Sequence, residues 1–365
     1  MTSTLTEQRR LVSSARVVRE PFWDNVRFVA IALVVVGHSI EKLSDSDLMA
    51  ALYVSIYAFH MPLFAFVAGR FAVDRVDREA GARLVTQLLV PYVAFSAVWF
   101  AVRFAVNGEA TFDLTRPWSL LWFLLALAVW RLLLPALAAL RNPLLVSVAV
   151  SLTSGYFPGA GGAFDSGRIL GMLPFFVLGW LLKERGWPRG AGVLRRPTAR
   201  ARTVAAVVLT LAPVVAYLHI DDVRDRQLRG FAQMGANYAD LDTPEWWAAL
   251  VRLGLLALAV LLGGAVLVLV PRAASWITRW GSRTVYVYVL HLFPIYVLRE
   301  LTDVQAWFDS APRFLLLVVV AVAWTCLLST DPVRRAFHWI VEPRCRWLLQ
   351  PTTAGPRAGT GGRSS

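Results

Sequence analysis

From about residue 20 to about residue 350 the chain alternates between apolar runs of near-membrane length and short polar connections. Ten runs read as helical spans, at about 26–43, 48–70, 84–106, 119–140, 143–157, 169–183, 203–219, 248–270, 284–299 and 313–330. Lipid offers no hydrogen bonds to a peptide group, so a crossing segment must satisfy its backbone internally, as a helix does. The fifth and sixth runs are short, and the Gly/Pro-rich stretch from Tyr156 to Gly162 separates them. Interrupted spans are tolerated where protein covers the backbone or a cavity is lined. The pattern predicts an all-α polytopic membrane protein of about ten transmembrane helices.

The polar connections alternate in charge. One set carries Arg75, Arg78 and Arg83, then Arg141, then Lys183, Arg185, Arg189, Arg195, Arg196, Arg200 and Arg202, then Arg272, Arg279 and Arg283. Both termini join that set, through Arg9, Arg10, Arg16 and Arg19 at one end and Arg334, Arg335, Arg344 and Arg346 at the other. The opposite set holds Asp45, Asp47, Glu109, Asp113, Asp165, Asp221, Asp222, Asp240, Asp242, Glu245, Asp303 and Asp309. In a ten-span topology every basic connection falls on one side, and the positive-inside rule makes that side, with both termini, cytoplasmic. Nine or eleven spans would break the alternation.

Composition sharpens this picture. The chain has 365 residues, 57% of them hydrophobic, and a mean hydropathy of +0.55. No polar span between residues 20 and 350 is long enough for a soluble domain. Three parts are expected: a cytoplasmic N-terminal segment (1–22), a transmembrane domain (23–331), and a basic amphipathic segment with a disordered tail (332–365). The net charge of +13 comes mostly from arginine. In a soluble protein that would suggest nucleic acid; here it sets orientation in the bilayer, and no nucleic-acid partner is expected. Cys326 lies in an apolar run and Cys345 in the basic tail, which argues against a disulfide framework. The first 20 residues lack the apolar core of a cleavable signal peptide. The longest outer connection, about 220–247, mixes charges with aromatics and reads as a polar loop ending in the interfacial pair Trp246 and Trp247, or as a glycan-facing surface.

Ionisable groups inside the apolar runs are the candidate chemistry, because burying them in lipid is costly. Asp24, Arg27, Ile31 and His38 fall within an arc of roughly 60° on the first helix, and Arg27 and His38 are about 16 Å apart along it. They cannot touch, but they can hold two ends of one long ligand. The second run holds His60 and Pro62 at mid-depth and Arg70 near its inner end; the ninth repeats the theme with Tyr288, His291 and Pro294. Arg168 opens the sixth run and Trp122 sits in the fourth. The plainer readings are an interfacial ion pair for Asp24 and Arg27, a core histidine for His38, a structural kink with a satisfied histidine for His60, and a lipid-facing or core residue for Trp122. Five histidines scattered over five segments, with no HExxH or paired CxxC, argue against a metal site. No Walker loop or GxSxG elbow is present.

Six pieces, in order, carry a resemblance: DNVRFVAIALVVVGH, YAFHMPLFAFVAG, RLVTQLLVPY, LWFLLAL, LPFFVLGW and VYVYVLH. Together they resemble the integral-membrane acyltransferases of the acyltransferase 3 family, especially its fucose 4-O-acetylase-like branch. The arginine with ten residues before a histidine, here Arg27 and His38, is similar to the family hallmark. The resemblance implies a cytoplasmic acyl-CoA donor, usually acetyl-CoA as co-substrate, and transfer to a hydroxyl, commonly of a sugar, glycan or glycolipid, at or across the membrane. It implies His38 as the catalytic residue and Arg27 as essential, and it places Asp24, His60 and His291 on motif positions. Ala68 stands where many relatives carry serine. A bacterial cytoplasmic membrane is the expected location.

The residues and the resemblance combine into one expectation. Phosphates of the donor meet Arg27 and Arg70, since arginine favours phosphate through forked hydrogen bonds. The pantetheine arm runs along the first helix to His38, which acts as general base or as a transient acyl carrier. Asp24, about 21 Å of helical rise from His38, orients Arg27 instead. Glu41, one turn after His38, can orient the imidazole. A transporter or flippase is the rival class, because polar groups in broken helices also mark transport sites.

Overall fold

A computed structural model describes residues 20–43, 46–75, 77–159, 161–186, 196–308, 310–343, 345 and 347–348. Arg9, Arg10, Arg16, Arg19, Asp45, Arg189, Arg195, Asp309, Arg344 and Arg346 lie outside the described residues, as do most of the N-terminal segment and the tail. Among the described residues the structure is helical, with no strand. In chain order the helices are α1 (Pro21–Ile40), α2 (Asp47–Tyr57), α3 (His60–Arg70), α4 (Arg78–Asn107) and α5 (Trp122–Ala138). Next come α6 (Pro143–Ser154), α7 (Ser166–Gly171), α8 (Leu173–Glu184), α9 (Ala199–Leu218), α10 (Ile220–Asp225) and α11 (Leu228–Gln233). The last are α12 (Ala248–Leu269), α13 (Thr278–Gly281), α14 (Thr284–Leu290), α15 (Leu292–Leu301), α16 (Ala311–Leu328) and α17 (Asp331–Val341).

By length and apolarity seven helical segments are able to cross a bilayer, or nine if each bent pair counts as one span. The bent pairs are Ala163–Gly171 with α8, at 50°, and Pro312–Leu328 with α17, at 69°. The sequence pattern counts ten. The difference lies in the fifth run, where α6 has 12 residues. Such a helix rises about 18 Å, well short of a hydrocarbon core of about 30 Å.

α1 is the central element. Val26, Ala30, Ile31, Val34 and Val35 are at most 1% exposed, and α1 packs against α2, α3 and α13 to α16. Pro21 sits in its first turn, where a missing N–H costs nothing. Asn25, fully buried, ties this end to the 271–278 connection. Its amide nitrogen donates to the carbonyls of Pro271 (2.9 Å) and Ala273 (3.0 Å), and its oxygen accepts from Thr278 Oγ1 (2.7 Å) and Ser275 Oγ (3.3 Å).

Two prolines make the breaks that matter most. A proline removes the bond to the carbonyl four residues back and its ring clashes there. Pro62 thereby separates α2 from α3 at Ala58–Phe59, and Pro294 separates α14 from α15 at His291. On the outside, α9 and α16 expose Leu211, Val214, Leu218, Leu315 and Val319, an apolar face suited to lipid. α17 turns away from α16 by 69°, with Phe337 and Trp339 exposed. Its helix ends at Val341, two residues before Pro343.

Small residues set the closest contact, between α3 and α8. A Cβ on Gly69 would lie 1.9 Å from the Phe176 carbonyl oxygen, and one on Gly179 would lie 2.0 Å from that of Phe66. Both obstacles are backbone atoms, so the helices must separate to admit even a methyl group. Gly179→Ala is expected to destabilise the protein by about 1–3 kcal/mol through overpacking. Gly254→Ala, where nothing lies within 4 Å, is expected to be neutral or mildly stabilising, since alanine is the better helix former. Thermal unfolding of both variants in one detergent checks the pair.

Candidate active site

His38 lies near the end of α1 and lines a cavity of about 270 Å³. The same cavity is walled by Glu41, Tyr57, His60, Trp122, Arg168 and Tyr288, among others. α1, the α2–α3 break, the start of α5, α7 and α14 therefore converge on one polar space inside an apolar bundle. His291 stands behind His38, with ring centroids 5.4 Å apart.

Three imidazoles are fixed by what their Nδ1 atoms meet. His60 Nδ1 lies 2.9 Å from the Ile56 carbonyl, and His291 Nδ1 lies 2.9 Å from the carbonyls of Val287 and Tyr288. A carbonyl only accepts, so Nδ1–H is the donor in both rings and Nε2 carries the lone pair. His38 Nδ1 lies 3.5 Å from Glu41 Oε2 and 3.2 Å from the Tyr57 hydroxyl. With the carboxylate as acceptor, His38 also holds its proton on Nδ1 and presents a basic Nε2.

Glu41 is the hub of this network. It sits in the short turn Glu41–Leu43 just beyond α1. Its Oε1 accepts from the Tyr53 hydroxyl (3.4 Å) and pairs with Arg229 (3.3 Å). Burial opposes ionisation of this carboxyl, but the His38 hydrogen bond and the His38 and Arg229 charges outweigh it and hold the pKa down to about 2. Tyr53 stacks on Tyr57 at 4.0 Å, Gln233 Nε2 donates to the Tyr53 hydroxyl at 3.2 Å, and the Arg229 guanidinium lies 4.5 Å over the Tyr53 ring.

The opposite wall is built from α5, α7 and α14. Arg168 pairs with Asp165 at 2.5 Å and lies 5.6 Å over the Trp122 ring. The Tyr288 hydroxyl donates to the Leu120 carbonyl, beside Ser119, whose φ of 44° is left-handed. Arg27, Asp24 and Arg70 form a separate group at the other end of α1 and are not among the walls of this cavity. Arg27 pairs with the buried Asp24 at 3.5 Å and sits 4.0 Å over the Phe71 ring. Arg70 lies 5.3 Å from the Trp23 ring, and Trp23 and Phe71 meet edge to face at 6.2 Å. The sequence stripe thus resolves into two sites.

Tyr53, Tyr57, Arg229 and Gln233 are the parts that sequence reasoning missed. The tyrosines had a readable signal, since residues 53, 57 and 60 follow helical spacing toward His60. Arg229 had none, because it comes from the long connection between α9 and α12, which folds as α10 and α11 and covers the cavity with Arg229, Ala232 and Gln233. This cover is anchored at Tyr238, whose N–H donates to the Gly155 carbonyl (2.7 Å) and whose hydroxyl donates to that of Leu152 (2.9 Å). The buried Arg252 lies 4.6 Å over the Tyr238 ring and donates to the Ser151 carbonyl at 3.0 Å. A Cβ on Gly155 would collide with the Tyr238 ring at 2.3 Å. No group of three or more His, Cys, Asp or Glu able to hold a metal occurs among the described residues.

The fold and its buried polar cavity define a multi-pass helical membrane protein. Residues 20–330 match the family described as acyltransferase 3, acyltransferase domain, and the chain belongs to that family. It is similar to nodulation protein NolL of Mesorhizobium japonicum, 24% identical over 233 residues, which are 55% of this chain and 56% of that protein. It is also similar to nodulation protein NolL of Sinorhizobium fredii, 25% identical over 197 residues, 46% of this chain and 49% of the other. The chain spans about half the length of these curated relatives. No solved structure matches it.

Two outcomes follow from this geometry. Tyr238→Ala is expected to loosen the cover, so limited proteolysis of the folded protein should cut within 220–247 at least about tenfold faster, as local opening becomes cheaper by about 1.4 kcal/mol or more. The depressed Glu41 pKa makes a linkage prediction. A carboxylate near 2 in the fold and about 4.3 unfolded adds stability that is complete above the unfolded value and fades as pH falls toward 2. Unfolding followed between pH 5 and 2 should therefore show a shallower loss of stability in Glu41→Gln than in the parent.

Proposed function

We propose that the chain is an O-acyltransferase. It takes an acetyl or other acyl group from cytoplasmic acyl-CoA and passes it to a hydroxyl of a sugar or glycan, free or lipid-linked, at or across a bacterial cytoplasmic membrane. The observation that carries this reading is His38, held in a polar cavity with Nδ1 against Glu41 and Tyr57, so that Nε2 is the basic atom offered to a substrate.

The reaction follows from those positions. Nε2 takes the proton of the acceptor hydroxyl, and the oxygen attacks the thioester carbonyl to form a tetrahedral oxyanion. The C–S bond then breaks, and the CoA thiolate leaves with the proton returned by the imidazolium. Glu41 stabilises that imidazolium, as a buried carboxylate beside Nδ1 does. Arg168 on the facing wall is the cation available to the oxyanion. With both termini cytoplasmic, Arg27 and Arg70 stand at the inner face, where forked guanidinium bonds suit the phosphates of CoA. The pantetheine arm spans the roughly 16 Å to His38. Aromatic and amide groups around the cavity, among them Trp122, Tyr57 and Gln233, support a hydroxylated, ring-shaped acceptor. The likeness to the fucose 4-O-acetylase-like branch supports a sugar.

The test is purified protein with radiolabelled acetyl-CoA, scored for donor binding, donor hydrolysis and label transfer. His38→Ala should keep donor binding and lose turnover by about 10²-fold or more. Arg27→Ala should weaken donor binding. Label found on His38 by mass spectrometry would make it an acyl carrier rather than a base. Well-folded parent protein that ignores acetyl-CoA and longer acyl-CoA thioesters alike would overturn the reading and bring the transporter to the front.

A further inference from the structure

The cavity around His38 is small. At about 270 Å³ it falls below the range of about 300–1,000 Å³ that pockets for one drug-sized ligand occupy. A thioester arm and a sugar do not fit such a space together. Reactants that enter in turn need a group on the protein to hold the acyl unit in the interval, which is covalent catalysis.

Among the described residues that line the cavity, Tyr57, Ser119 and Tyr288 carry hydroxyls. The Tyr288 hydroxyl is spent on the Leu120 carbonyl. The Tyr57 hydroxyl lies 3.2 Å from His38 Nδ1, the nitrogen turned to Glu41 and not the basic one. The Ser119 hydroxyl is bonded to none of the described residues. Ser119 opens the turn Ser119–Leu121 that leads into α5, and it is exposed, with a left-handed φ of 44°. That backbone is disfavoured for a residue with a Cβ and persists where neighbours hold it. Tyr288 is such a neighbour, since it grips the carbonyl next to Ser119. Its own carbonyl accepts from His291 Nδ1 at 2.9 Å, and the His291 ring packs on His38 with centroids 5.4 Å apart. The Ser119 turn is thus bolted to the helix that backs His38, and both side chains open on one space.

We propose that Ser119 is the acyl-carrying nucleophile, with His38 as its base and Glu41 orienting the imidazole. This rests on the acyl-transfer reading of the cavity and splits its single displacement into two. In the first half, Ser119 Oγ attacks the thioester carbonyl while its proton passes to His38 Nε2. The C–S bond breaks, the thiolate takes that proton, and CoA leaves an acyl ester on Oγ. In the second half, the acceptor hydroxyl gives its proton to Nε2 and attacks the ester. The bond from the acyl carbon to Oγ breaks, and Ser119 recovers the proton. Nothing is oxidised or reduced, and the arrangement of nucleophile, imidazole and carboxylate is that of a catalytic triad.

The test uses the full chain in detergent with two reagents, a fluorophosphonate and radiolabelled acetyl-CoA, and maps adducts by mass spectrometry. The fluorophosphonate reads the activated hydroxyl without any acyl transfer. It should modify Ser119, about 10²-fold more slowly in His38→Ala. Acetyl-CoA should leave an acetyl ester on Ser119. Ser119→Gly, which suits the left-handed φ, should melt as the parent does, keep donor binding and lose donor turnover. Adding His38→Ala to it should cost little more, because residues that act as one unit are not additive. Parent protein that turns over acetyl-CoA with no adduct on Ser119 from either reagent overturns the nucleophile and leaves the acyltransferase standing. So does Ser119→Gly working at the parent rate, or an acetyl group found on His38 instead. Labelling of Ser119 that is as fast in His38→Ala overturns the pairing. Parent protein that takes the fluorophosphonate on Ser119 but ignores acyl-CoA supports the nucleophile and removes acyl-CoA as its donor.

Discussion

Holding a polar cavity inside an apolar bundle is the constraint on which the rest of this structure depends. A buried ionisable group in a membrane must find a partner, because the surroundings offer none. His38 finds Glu41 and Tyr57, Glu41 finds Tyr53 and Arg229, and Arg168 finds Asp165. Glu41 and Asp165 are local i,i+3 partners, whereas Tyr53, Tyr57 and Arg229 come from other stretches of chain. α1 is central because it carries the first member of this network, and α2, α7 and α11 are drawn to it to complete the set.

The two proline breaks serve the same end. In each, a histidine sits at the break and donates Nδ1–H to a carbonyl of the preceding turn, Ile56 for His60 and Val287 with Tyr288 for His291. These carbonyls also accept backbone N–H groups, Ile56 from Phe59 (3.2 Å) and Val287 from His291 (3.0 Å), so the imidazole adds a second bond that fixes the ring and turns Nε2 away from the backbone. His60 faces the cavity directly, while His291 packs behind His38. The proline opens the space, and the bond to the preceding turn holds the ring at its edge.

The connection from α9 to α12 shows how a polar segment becomes part of a site. α10 and α11 are short and bury Ile220, Val223, Phe231 and Ala232, the first two against Ala50 and Ala51 of α2. They are also held by the Tyr238 wedge over Gly155 and by Arg252 from α12, which is fully buried and bonded to the end of α6. The end of the short helix α6 is thus the surface on which the cover rests. Left-handed Gln227 and Met234 bracket α11, and such conformations persist where surrounding contacts over-determine them.

Much of this was legible along the chain. Apolar periodicity determined the helices to within a few residues, the prolines located both breaks, and the six ordered motifs identified the family. The stripe of Asp24, Arg27 and His38 was visible because helical spacing is a local property. What only the tertiary structure decided was its division into two sites, one around Trp23 and Phe71 at the start of α1 and one around Glu41 at its end. It also decided the recruitment of Tyr53, Arg229 and Gln233, and the count of helices long enough to cross a bilayer. The physical reason is range: periodicity, propensity and the i,i+3 pairs of Asp24, Glu41 and Asp165 act within a turn or a few, whereas Tyr53, Tyr57 and Arg229 come within hydrogen-bond reach only through the packing of distant segments.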